Sequence, residues 1–176
     1  MSLLRFLGME KDPAKDRESG DTASVRRIAA KLEQLDQEKA KYLEAFAYVL
    51  ARIANADLEI DDSETEEMER SLSALSGLSE GEVALAVEIA KSQARMLGGT
   101  ENYIVTREFR AISTREQRGQ LLQCLYAVAA ADGTISSVES AEIVSIAEEL
   151  GFTRPEANSL RSQYRDKLAV FQNSPD

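Results

Sequence analysis

Two short segments of this chain carry carboxylates at spacings that suit an oxygen-seeking cation. The clearer is Asp132-Gly133-Thr134-Ile135-Ser136-Ser137-Val138-Glu139. It reproduces the second half of a helix-flanked calcium loop, with a ligand at position five, glycine at six, an apolar residue at eight and glutamate at twelve. Positions one and three fall on Val128 and Ala130 here, and on Ile53 and Asn55 in an earlier related segment, so two carboxylate ligands are missing. One such loop alone is expected to hold Ca²⁺ or Mg²⁺ only weakly, at about 10⁻⁴–10⁻³ M. Convergence of two loops would pool Asp57, Asp61, Glu64, Asp132 and Glu139 into a stronger site for Ca²⁺, Mg²⁺ or Mn²⁺.

The same residues support a second reading without an ion. Ser136-x-x-Glu139 is a capping box and Asp61-x-x-Glu64 imitates one. Acidic residues at a helix start are stabilised by the helix dipole by roughly 0.3–1 kcal/mol each. Asp57 and Asp132 fit that reading less well. Each sits near an expected helix C-terminus, where the dipole disfavours negative charge, although an Asp there can bond backbone N–H groups of its own turn.

Composition excludes most other chemistry. The chain has 176 residues, no histidine, no tryptophan and one cysteine, with 31 acidic against 21 basic side chains and a net charge of −10. Ser-His-Asp and Cys-His nucleophiles, imidazole metal sites and intrachain disulfides are all ruled out. An acidic chain poor in aromatics is also not expected to bind nucleic acid, whose phosphates demand clustered Lys and Arg. Carboxylates can bind Mg²⁺ or Mn²⁺ and activate water without histidine, which is the chemistry of a metal-dependent hydrolase. No nucleophile or phosphate-cradling loop accompanies the carboxylates, so the expectation is that the protein is not an enzyme. Cys124, in the apolar run Leu121-Leu122-Gln123-Cys124-Leu125, is expected to be a buried core residue.

Charge is unevenly placed. From Asp57 to Glu69 there are eight acidic side chains and no basic one, a solvated face or a surface for a basic partner. Arg107, Arg110, Arg115 and Arg118 form a basic cluster that could receive a carboxylate, an anion or another copy of the chain. Tyr103 and Phe109 beside it are expected to be core anchors.

The elements that must position these groups are helical. Apolar residues recur at three- and four-residue steps, as in Leu43, Phe46, Leu50 and Ile53, and no proline interrupts the chain between Ala14 and Arg154. The pattern predicts an all-α domain of about seven helices: 22–56 with a possible break at Asp36, then 63–75, 80–97, 101–111, 114–131, 137–149 and 154–169. Capping boxes mark several starts: Ser63 with Glu66, Ser79 with Glu82, Ser113 with Glu116, Ser136 with Glu139 and Thr153 with Glu156. Gly98-Gly99 and Gly151 mark stops. Residues 1–22 read as a short apolar head and a polar tail, and 23–172 as the helical domain. The head is too short and too interrupted by Arg5 for a signal peptide, and no stretch approaches a membrane span.

Within the domain the chain repeats itself. At an offset of 75 residues Leu50 matches Leu125, Ala54 matches Ala129, Ala56-Asp57 matches Ala131-Asp132, Ile60 matches Ile135, Glu64 matches Glu139 and Leu75 matches Leu150. After a one-residue slip Gly77-Leu78-Ser79 matches Gly151-Phe152-Thr153. Repeat one covers about 43–97 and repeat two about 118–171, which predicts two pseudo-symmetric helix-loop-helix units.

The signature Ala131-Asp132-Gly133-Thr134-Ile135 with Glu139, followed by Ala147-Glu148-Glu149-Leu150-Gly151-Phe152-Thr153, resembles the tellurite-resistance protein TerB family over roughly residues 40–170. The resemblance implies an all-helical fold of two related halves whose acidic residues bind metal. The matching positions are Asp132 and Glu139 in the second half, and Asp57 and Glu64 in the first. The first half departs from the pattern at Leu58, in place of Gly, and at Asp61-Asp62, in place of Ser136-Ser137. The resemblance also implies a role in tellurite resistance or a broader stress response, with protein partners that include membrane-associated complexes.

The expectation is therefore a cytoplasmic, non-enzymatic module, with attachment to the inner face of a membrane and homodimerisation left open. Its acidic loops would bind divalent cations, protein partners or both. The alternative is a purely structural or self-associating helical domain with no ion site.

Overall fold

The computed structural model describes residues 21–54, 62–94, 102–131 and 133–172. Among them the chain is all-α: α1 (Asp21–Leu32), α2 (Gln37–Ala54), α3 (Asp62–Leu75), α4 (Glu80–Ala94), α5 (Asn102–Ile112), α6 (Arg115–Ala129), α7 (Ser137–Glu149), α8 (Arg154–Ser162), a 3₁₀ turn (Arg165–Lys167) and the short α9 (Ala169–Gln172). The apolar head and most of the polar tail lie outside the described residues, as do Gly98 and Gly99.

The core is built around α2. Leu43, every residue from Ala45 to Ala51, and Ile53 are buried. A helix apolar nearly all round can be stable only at the centre of a bundle. It packs chiefly on α4 and also touches α5, α6 and α7, while α3 bridges α4 and α6 and α8 lies on α7. On the outside, α1 docks on α4 through buried Ile28 and Leu32, and Arg27 and Lys31 both reach Glu88, at 2.6 and 3.0 Å.

The predicted break at Asp36 is real. Its side chain accepts the Lys39 N–H at 2.9 Å and so caps α2, separating it from α1. The capping boxes of Ser79 with Glu82 and Ser136 with Glu139 are both formed, and Glu156 accepts the Thr153 N–H and hydroxyl. Two caps differ from expectation. At α6 the box is Thr114 with Gln117, one residue later than Ser113 with Glu116, because the Ser113 hydroxyl donates back to the Phe109 carbonyl. At α3 the helix already includes Asp62, which places Ser63 inside it rather than at the cap.

The last predicted helix, 154–169, ends early at Ser162. Beyond it the chain leaves the α-helix for a 3₁₀ turn, so that Tyr164 can stack on Tyr126, with ring centroids 4.8 Å apart, and Leu168 can pair with Ile135 in a parallel bridge. Tertiary packing thus overrides a helical periodicity that the sequence does contain.

The 75-residue offset reappears in helix boundaries. Helices α2 and α6 end at Ala54 and Ala129, and α3 and α7 begin at Asp62 and Ser137. Their packing does not repeat: α4 lies along α2, whereas α8 lies on α7 and hardly touches α6.

At the end of α7, Gly151 adopts φ +88°. The Phe152 N–H reaches the Ala147 carbonyl and the Gly151 N–H the Glu148 carbonyl, a Schellman ending. A Cβ on Gly151 would sit 2.8 Å from the Arg110 guanidinium carbon. Gly151→Ala is therefore expected to cost about 1–2 kcal/mol for the left-handed backbone, and more if Arg110 is displaced. A urea midpoint unchanged from the parent would contradict this.

Candidate functional site

The loop between α6 and α7 is the better-described half of the candidate cation site. Helix α6 ends in a cap at Ala130, whose N–H reaches the Tyr126 carbonyl, and the Gly133 N–H then turns back to the Ala130 carbonyl at 2.9 Å. Gly133 adopts φ +94°, a conformation that favours glycine at this position. Ile135 is fully buried and anchors the loop to the core. Glu139 then accepts the Ser136 N–H at 2.8 Å, and the Ser136 hydroxyl accepts the Glu139 N–H at 3.1 Å.

Of the five candidate ligands, Glu139 alone has a described side chain, and it is engaged as a capping group through one oxygen. Asp57, Asp61 and Asp132 lie outside the described residues. Glu64 lies on α3, with its side chain outside them. The structure describes the helices that flank both segments and, within the second, Ala130, Ala131 and residues 133–136. Seven residues, 55–61, separate α2 from α3 in the sequence, and seven, 130–136, separate α6 from α7. Asp57 and Asp132 occupy the third position of each.

The basic cluster has a different use from the one its spacing suggests. Arg118 donates to the Leu150 carbonyl at 2.7 Å and Arg110 to the Glu149 carbonyl at 3.4 Å, so both neutralise the C-terminal end of α7. Arg115 pairs with Glu156 and lies over the Phe152 ring, 4.6 Å from its centroid. Three of the four arginines are thus consumed in joining α5 and α6 to the end of α7 and the start of α8. Phe109 is a core anchor as expected, but Tyr103 is 56% exposed and is not. Cys124 is fully buried, as expected for a core residue, and burial pushes its thiol up to about 12.

A polar centre that the sequence reading missed lies between the repeats. Arg52 of α2 donates to Glu142 and Glu149 of α7, at 2.5–3.0 and 2.7–3.3 Å, and to the Thr106 hydroxyl of α5 at 2.7 Å. Burial alone would lower the Arg52 pKa, and the two glutamates more than reverse it, holding the guanidinium above its ordinary value. The available signal was a single charge in the otherwise uncharged run Ala45 to Ala56.

A groove of about 630 Å³ opens at the start of α2 and α6, lined among others by Lys41, Tyr42, Leu78, Ile112, Glu116 and Gln120. Its charges are mixed, with Asp36, Glu38 and Glu116 beside Lys39 and Lys41. Among the described residues no group of three or more Cys, Asp or Glu side chains is placed to hold a metal, and no helix is long and apolar enough to cross a membrane.

A family model described as tellurite resistance protein TerB matches residues 43–162, about two-thirds of the chain. The chain belongs to the TerB family. Neither a curated protein nor a solved structure matches it. The matched span runs from α2 to α8 and so contains both acidic loops and the Arg52 centre, while α1 lies before it and the segment after Ser162 lies beyond it.

Proposed function

We propose that this chain is a non-enzymatic, TerB-family stress-response module that binds divalent cations through its two acidic interhelical loops. Asp57, Asp61 and Glu64 serve the first loop, and Asp132 and Glu139 the second. One observation carries the reading: seven residues separate each of the helices α2 and α6 from the helix that follows it, and the third of the seven is an aspartate in both cases, Asp57 and Asp132. The helix dipole disfavours negative charge after a helix C-terminus, and a bound cation would relieve it, as a backbone N–H of the same turn also could. The acidic run from Asp57 to Glu69 extends the first loop and gives a basic partner protein a surface to approach. The setting is cytoplasmic, with partners that include complexes at the inner face of the membrane.

A second reading rests on Glu139, whose carboxylate already caps α7. In that reading the domain is a structural or self-associating module and its acidic residues serve capping and solvation.

Thermal melts with EDTA and then with millimolar Ca²⁺, Mg²⁺ or Mn²⁺ separate the two. A cation present at a hundredfold excess over Kd stabilises the native state by about 2.7 kcal/mol, roughly 5–10 °C for a domain of this size. The rise should be ion-selective and should disappear in Asp132→Ala, which leaves the capping box intact. No rise with any ion, together with a mass that grows with concentration in light scattering, would favour the scaffold.

A further inference from the structure

Helix α1 lies before the family-matched span and is attached to it lightly. Among its described side chains only Ile28 and Leu32 are buried, and Arg27 and Lys31 both donate to Glu88 of α4. Such a helix belongs to the low-stability end of a fold and can detach while the core stays folded. Four residues, 33–36, join it to α2. Lys39, at the start of α2, reaches Glu82 at 2.7 Å, near the start of α4. Helix α1 therefore runs down α4 towards its start, and the four-residue link reverses the chain into α2.

That reversal is made without the residues that usually make one. The junctions α3–α4, α6–α7 and α7–α8 each contain a glycine at positive φ, namely Gly77, Gly133 and Gly151. Glu33-Gln34-Leu35-Asp36 contains neither glycine nor proline and no residue at positive φ. Its hydrogen bonds are those of a helix end: the Glu33 N–H reaches the Ala29 carbonyl at 2.9 Å, and the Gln34 and Leu35 N–H groups reach the Lys31 and Leu32 carbonyls at 3.2 and 3.1 Å. Glu, Gln and Leu are good helix formers. The helix stops at the Asp36 cap on the Lys39 N–H. The same link therefore suits a second state in which α1 and α2 are one helix of 34 residues, about 51 Å long.

In that second state α1 projects away from its own α4 and uncovers the face on which Ile28 and Leu32 sat. The helix that fits this face is α1 of a second copy, which brings the same apolar pair and the same two cations for Glu88. We infer that α1 and α4 form the exchangeable contact of a twofold, helix-swapped dimer, with residues 33–36 as its hinge. Each copy supplies α1 to the other, so the assembly closes and no docking face stays open. Every contact that α1 makes in the closed chain is remade between copies, and the difference between the two forms lies in the hinge and the protein concentration. Straightening the hinge replaces the Asp36 cap by the i→i−4 bonds of an uninterrupted helix. Asp36 thus sets the balance by stabilising the bend. The swap does not depend on the cation reading above, and it gives self-association a defined surface.

Light scattering of the full chain after size-exclusion chromatography, from micromolar to millimolar concentration, should show monomer and dimer in slow exchange. Asp36→Ala should raise the dimerisation constant about thirtyfold, the square of the roughly fivefold that one lost cap is worth, whereas Asp36→Asn keeps a capping side chain and should resemble the parent. Parent and Asp36→Ala proteins that both stay monomeric at millimolar concentration would overturn the swap. Mixing two variants identifies the surface. In Glu88→Arg the α4 face repels α1, and in Arg27→Glu/Lys31→Glu α1 repels the face, so each protein alone is mismatched in the closed and the swapped form alike. When the two are unfolded and refolded together, the swapped mixed dimer alone pairs opposite charges at both docking sites. Native mass spectrometry should find mixed dimers well above the half expected from random pairing. Random pairing would overturn the swap and place the dimer contact on another surface. Should the charge-reversed chains fail to fold, a flexible Gly-Ser insertion after Leu35 in the parent decides, because it prevents a continuous helix and should return the dimer to monomer. A dimer that withstands the insertion overturns the swap.

Discussion

Arg52→Ala is expected to destabilise the fold by about 3–5 kcal/mol, the scale observed when one partner of a buried ion pair is removed. The Arg52 side chain is only 6% exposed, and it supplies donors to two glutamates and a threonine on two other helices. Its loss leaves Glu149, 15% exposed, without the cation that compensates its burial. Glu142 at 37% exposed can turn to water and suffers less. Arg52→Lys should recover only part of the loss, since one ammonium cannot span the positions that the planar fork reaches at once. Arg52→Met combined with Glu149→Gln should be more stable than Arg52→Ala alone, because most of the cost is the stranded carboxylate rather than the lost attraction. Urea unfolding followed by circular dichroism measures all three variants, and an Arg52→Ala midpoint close to the parent's would show that the network contributes little.

That arginine also marks where sequence reading stops. Helix positions, the Asp36 break and most of the caps were legible because they depend on local rules: apolar spacing, a Ser or Thr before the first turn, a glycine after the last. Arg52 was visible as a misplaced charge, but its partners lie 90 and 97 residues away on α7, and no local rule identifies them. The arginine cluster was misread for the same reason. Four basic residues at short spacing look like a docking surface until the fold brings the bare carbonyls of Glu149 and Leu150 beside Arg110 and Arg118. Residues 163–169 carry a helical pattern, yet the α-helix stops at Ser162 and gives way to a 3₁₀ turn, because burying Leu168 against Ile135 and stacking Tyr164 on Tyr126 outweigh a further turn of α-helix. For the candidate site, residue type and spacing were legible, and the capping role of Glu139 was legible as one of two alternatives. Pooling of the two loops was an inference from the repeat and depends on side chains outside the described residues.

The second large effect concerns Glu44, a carboxylate within the apolar stretch of α2 and only 2% exposed. Burial pushes its pKa up from 4.5 to about 7, against a smaller opposing pull from Lys41. Because the native state holds this proton more tightly than the unfolded chain, native molecules carry more protons between pH 4.5 and 7, and stability must fall as pH rises through that interval. The full contribution is present below pH 4.5 and is lost above 7. Each tenfold difference in proton affinity between the native and unfolded chains is worth about 1.4 kcal/mol, which makes the whole effect about 3 kcal/mol. Glu82 and Glu88 act in the opposite sense. Burial raises their pKa values, but Lys39 acts on Glu82, and Lys31 and Arg27 on Glu88, to leave both below the ordinary value, so they lose stabilisation as pH falls. Comparing a variant with its parent at two pH values removes those shared contributions. Glu44→Gln keeps the size of the side chain and cannot ionise, so it should match the parent near pH 4.5 and exceed it by about 3 kcal/mol at about pH 8. Urea midpoints at the two pH values give the difference directly. An equal gap at both would mean that Glu44 titrates like an exposed carboxylate, and that the centre of α2 carries a charge its apolar surroundings should not tolerate.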